Sequence, residues 1–101
     1  MTTDDATMTE ALRRVVDAQI GPRHAGAIYR NTDGLFEVLA VVRDPKQARA
    51  LLNRRCAQFA LIVKDITRHD GEPFVIGSVW TTSDFLVREA GARRTTAEAI
   101  A

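Results

Sequence analysis

The chain has 101 residues, 11.2 kDa of mass and a formal net charge of +1 at pH 7. That is room for one domain with one core, and too little for two. Hydrophobic and charged fractions of 46% and 27% lie near the globular average and exclude a disordered chain. No apolar run reaches the length of a membrane span, and the first ten residues carry Asp4, Asp5 and Glu10 where a signal peptide needs positive charge. Cys56 is the single cysteine, so no internal disulfide or thiolate metal cluster forms, and a reducing cytoplasmic setting is expected.

The basic residues are 12 Arg and 2 Lys, a bias that the codon usage of a GC-rich genome explains before phosphate binding does. The charge is unevenly spread: residues 11–55 carry nine basic and four acidic side chains, residues 56–101 five and six.

In chain order, Thr7 and Glu10 have capping-box spacing and Gly21-Pro22 supplies a stop, which predicts a first helix from Thr7 to Ile20. Met8, Leu12, Val15, Val16 and Ile20 form its apolar stripe. Glu10 with Arg14, and Arg13 with Asp17, stand four apart on the wet side. Ala27 to Arg30 and Leu35 to Arg43 flank Asn31-Thr32-Asp33-Gly34 and predict an antiparallel hairpin. Asp44-Pro45 then caps a short helix to about Arg54, with Ala48, Leu51 and Leu52 as its inner face.

Ala57 to Arg68 reads as a strand covered in part on both sides, His69-Asp70-Gly71-Glu72-Pro73 as a solvated turn, and Phe74 to Trp80 as the partner strand. Thr81 to Asp84 favours a third helix through Ala90, with a short strand at Phe85-Leu86-Val87 as the alternative. The fold expected is a small α+β two-layer sandwich of order α-β-β-α-β-β-(α). It occupies residues 7–91, between a flexible 1–6 and a frayed tail at 92–101. The two Asp-Gly turns do not extend into an internal repeat.

Chemistry-bearing residues are sparse. His69 beside Asp70 suits a hydrated turn, Cys56 a small core position, and Gly21 to Gly26 a helix stop better than an anion loop. No catalytic spacing, nucleotide signature, cofactor motif or metal set is present, and an enzyme is not the favoured reading. Arg13, Arg14, Arg23, Arg54 and Arg55 are candidates for nucleic-acid contact at helix ends. Trp80 suits a core edge or an interface, and the hydroxyls that follow it are the first place to seek a small-molecule pocket.

The strands look apolar on both sides. Phe36, Val38, Ala40 and Val42 make one face of the long strand, while Leu35, Leu39 and Val41 make the other, which two or three helices do not cover completely. The leading expectation is therefore a non-catalytic interaction or regulatory module, a homodimer or assembly subunit, with Leu35, Leu39, Val41 and Trp80 at its interface. A nucleic-acid-binding protein is the alternative.

Overall fold

The structure is a computed structural model that describes the backbone of residues 2–91 and the side chains of residues 10–91. The elements are α1 (Thr2–Ile20), β1 (Ile28–Asn31), β2 (Gly34–Val42), α2 (Pro45–Leu52), β3 (Ala60–Asp65), β4 (Phe74–Ile76) and β5 (Phe85–Arg88). All strand pairs are antiparallel, in the order β4-β3-β2-β1-β5, so the α+β class expected from the sequence is the one found. The expected tail at 92–101 lies outside the described residues.

Three elements differ from expectation. Strand β4, expected to run from Phe74 to Trp80, ends at Ile76, and the backbone of Trp80 bonds the end of α1 instead. Helix α1 begins at Thr2, so Thr7 sits inside it and does not cap it. Residues 85–88 form a strand, because β1 offers a free edge on which the β-branched and aromatic run pairs: Arg30 with Phe85, Tyr29 with Leu86 and Ile28 with Arg88. Asp84, expected to cap a helix, instead accepts from the Thr81 N–H at 2.9 Å and from the Asn31 side-chain amide at 2.9 Å, which closes the turn that leads into β5.

Other local signals are realised as read. Asp44 caps α2 through the Lys46 N–H, Pro45 starts it, and Asn53 ends it in the left-handed region at φ 54°. The turn between β1 and β2 closes with Asn31 opposite Gly34.

A bulge decides which side chains reach the core. Val38 pairs with Val63, but the next partner of Ile62 is Ala40, so Leu39 is an extra residue in β2. Because side chains alternate with period two, one extra residue reverses the faces beyond it. Val41 therefore pairs with Leu61 and packs on the core beside Phe36 and Val38, while Leu39 stays 40% exposed. Leu35, Leu39 and Val41 do not share a face, contrary to the regular alternation read from the sequence.

The core face consists of Tyr29, Phe36, Val38, Leu61 and Val63, with Val41, Ile76 and Leu86 packed around them. It is covered by Val16 and Ile20 at the end of α1, by Phe59, and by Trp80 in the segment crossing from β4 to β5. Helix α2 lies on the other face against β2, β3 and β4, where Ala48 and Ala60 are fully buried and Leu52 reaches Gly77. Elsewhere on that face charged residues stand among apolar ones: Glu37 sits opposite Lys64 and Ile28 and 3.7 Å from Arg88. The double-sided apolarity is thus largely satisfied within one chain.

The end of α1 is the tightest junction. Gly21 adopts φ +64°, and a Cβ there would fall 2.6 Å from Trp80 Cγ. Gly21→Ala therefore combines left-handed strain with a collision and should cost about 2–4 kcal/mol. For a domain of this size the melting temperature should fall by about 10 °C or more in a calorimetric scan. An unchanged melting point would show that Trp80 does not close on the helix end.

Candidate functional site

Arg23 is the one buried charged or polar residue among those described, at 1% exposure. Its Nε donates to the Ile20 carbonyl at 2.8 Å, and its Nη2 donates to the carbonyls of Gln19 at 2.7 Å and Ser78 at 2.8 Å. Its guanidinium lies 5.5 Å from the Tyr29 ring centre and 5.7 Å from that of Trp80. Gln19 and Ile20 end a helix, where carbonyls have no intrahelical donor and a cation is favoured, so Arg23 acts as an internal C-terminal clamp. Burial pulls its pKa below the usual value, opposed by Tyr29 and by Asp84; burial also raises the Tyr29 phenol, with Arg23 working the other way. An arginine remains charged under such a shift.

This placement removes Arg23 from the surface expected for nucleic-acid contact. Arg13, Arg14, Arg54 and Arg55 are all exposed, and Arg54 and Arg55 line a shallow hollow with Arg49 at the end of α2. Arg13 was expected to pair with Asp17, but Arg43 takes that carboxylate. Trp80 is half-buried against the core, and Thr81, Thr82 and Ser83 after it are exposed, Ser83 lining a shallow hollow with Arg30, Asn31, Thr32 and Phe85. Cys56, read as a core position, is exposed because it follows α2 in an open loop. His24 and His69 are exposed on separate loops, and among the described residues no His, Cys, Asp or Glu group could hold a metal.

A cleft of about 460 Å³ lies at the opposite end of the sheet. Tyr29, Phe36, Val63 and Ile76, all on the core face, form its inner wall. The β1–β2 turn contributes Asp33, the end of β3 Asp65, the β3–β4 connection Arg68, Asp70 and Glu72, and the start of β4 the 42% exposed Phe74. Phe74 stands edge-on to Phe36 at 6.0 Å between ring centres. The cleft exists because the crossover segment shields the core face only as far as Ser78. From the sequence, Asp33 and Asp70 were visible only as turn residues; their meeting at one end follows from the antiparallel pairing of β1 to β4.

Two carboxylates near this end are held below their ordinary range. At Asp65 the Thr67 hydroxyl and N–H donate to the carboxylate and lower it against slight desolvation. At Asp84 desolvation is the largest influence and works upward, but bonds from Asn31 and Thr81 together with the Arg23 charge outweigh it.

No known protein-family model matches the chain, and no curated protein or solved structure shows significant similarity to it.

Arg23→Met keeps the apolar stem but leaves the carbonyls of Ile20, Gln19 and Ser78 without these donors. It should cost about 2–4 kcal/mol in urea unfolding, and Arg23→Lys a substantial part of that, whereas Arg54→Gln should stay within about 0.5 kcal/mol. Equal midpoints for Arg23→Met and the parent chain would refute the clamp. Because Asp84 is depressed in the folded state, its contribution is present above the unfolded pKa near about 4 and is lost as pH falls through the folded value. Asp84→Asn should therefore flatten the acid limb of a stability–pH curve and leave its neutral-pH slope unchanged.

Proposed function

We propose that the chain is a non-catalytic interaction module of the cytoplasm that associates with itself as a homodimer. The observation that carries this reading is the incomplete burial of the α1 stripe. Val16 and Ile20 are buried in the core, but Leu12 and Val15 on the same helix remain 46% and 51% exposed. A groove of about 350 Å³, lined by Leu12, Val16, Pro45 and Gln58 together with Arg13 and Arg43, adjoins them. Burying an aliphatic side chain is worth about 1.5–3 kcal/mol, so covering this stripe is a substantial gain for a small domain. A two-fold axis beside α1 covers both copies with one self-complementary patch. This relocates the expected interface from the sheet face to the helix, with Leu39 at its bulge as the remaining exposed member of the expected set.

Light scattering at micromolar concentration should return twice the 11.2 kDa chain mass. Leu12→Glu should reduce it to the mass of one chain with an unchanged far-UV circular dichroism spectrum, because the introduced carboxylate cannot be buried unpaired. A monomeric parent chain would overturn the proposal.

A second reading, nucleic-acid binding, is favoured by one feature: the hollow bordered by Arg49, Arg54 and Arg55. It requires retardation of DNA or RNA at low salt that weakens steeply as salt rises and is diminished by Arg54→Gln with Arg55→Gln. Absence of retardation at low salt eliminates it.

A further inference from the structure

We infer that the cleft between the β1–β2 turn and the β3–β4 connection is a binding site for an arginine side chain of a partner polypeptide. This site is separate from the α1 surface and does not depend on self-association.

The inference starts from what the cleft combines. Its accessible aromatic element is the Phe74 ring, 42% exposed and fixed edge-on by Phe36 at 6.0 Å. Behind it Tyr29 and Val63 are sealed, so an occupant rests on a dry wall and does not enter the core. Asp33, Asp65, Asp70 and Glu72 line the same cleft, with Arg68 as the cation among them, its charge felt by Asp65. An apolar ligand would cover Phe74 but strip water from carboxylates without replacing it, and an anion would be repelled. A group that is flat, cationic and weakly hydrated satisfies both surfaces: it stacks on the ring and donates to the carboxylates. Guanidinium is that group, and its five donors suit several acceptors better than a compact ammonium does.

The volume supports a side chain presented by a peptide. About 460 Å³ exceeds what one guanidinium and its stem occupy, which leaves space for flanking backbone. Asp65 is pre-set for the role, since the Thr67 N–H and hydroxyl both bond its Oδ1 and hold its pKa below the usual carboxylate range. Charge complementarity also fixes the sign of the partner. This end of the sheet is acidic, whereas exposed arginines gather around the end of α2, so like molecules present opposite charges at opposite ends.

The test is a titration of the full, isotopically labelled chain by amide nuclear magnetic resonance with the blocked peptide acetyl-Ala-Arg-Ala-amide, alongside its citrulline and lysine counterparts. The arginine peptide should shift the amides of residues 31–36 and 65–76, and binding should weaken several-fold between low and physiological salt. The lysine peptide should bind several-fold more weakly, and the citrulline peptide should produce no saturable shift. Asp70→Asn with Glu72→Gln should weaken arginine binding about tenfold. Both positions are exposed on a loop, so the fold is expected to persist, and Phe74→Leu separately tests the stacking surface. Equal binding of the citrulline peptide, shifts confined to other surfaces, or no shift at millimolar arginine peptide would each overturn the assignment. The Leu12→Glu chain should bind the arginine peptide as the parent does, so failure of the dimer leaves this result standing.

Discussion

The fold depends on how the end of α1 is terminated. A helix that stops inside a protein exposes carbonyls with no donors; here the Gly21 N–H reaches the Asp17 carbonyl at 2.9 Å, but Pro22 has no N–H to offer the next. Arg23 supplies the missing donors from three and four residues further on, and the same guanidinium reaches the carbonyl of Ser78 in the crossover between the sheet edges. The Trp80 N–H adds a bond to the Gln19 carbonyl at 2.7 Å. One buried cation thereby ties three distant parts of the chain: the helix end, the crossover and, through Tyr29, the central sheet. Its burial would be prohibitive without those acceptors and two aromatic faces. The position of the crossover, and so the extent of core face left open as the cleft, follows from that attachment.

Much of the architecture was legible because it rests on local chemistry. Asp44-Pro45 marks the start of α2 and the Asn31–Gly34 turn the first hairpin whatever else the chain does. What was not legible depended on distant partners. Phe85-Leu86-Val87 is ambiguous alone and becomes a strand because β1 has a vacant edge, which no local rule reports. The faces of β2 were misassigned because a bulge at Leu39 leaves no compositional mark, and a single residue inverts the parity of all that follows. Arg23 looked like one more arginine in an arginine-rich chain; the signal that separates it is its position just after a helix stop. The cleft was the least legible feature, since its carboxylates come from two turns far apart in sequence.

The charges follow a similar division. Those within the structure are consumed: Arg23 by carbonyls, Glu37 by Arg88, Asp17 by Arg43. Of those left over, Arg49, Arg54 and Arg55 lie near the end of α2, while Asp33, Asp70 and Glu72, with Arg68 among them, lie at the hairpin turns on the far side of the nine-residue strand β2. A net charge of +1 conceals this polarity, which orients approaching macromolecules before contact and fades as salt shortens the screening length.

The crossover also orders events in time. Strands β1 to β4 are joined as successive neighbours, each pairing with the next along the chain, whereas β5 must return to β1 across sixty residues, Ile28 meeting Arg88. The entropy of closing that loop is spent before any of its hydrogen bonds is gained, so the meander is expected to form first and β5 to dock after it. Until then β1 is an edge strand whose Tyr29 and Arg30 lack their neighbours, the state in which an antiparallel sheet accepts a foreign strand. The interval ends when Arg23 grasps Ser78 and Trp80 settles over Gly21, and the same latch that terminates a helix becomes the step that seals the sheet against misassembly.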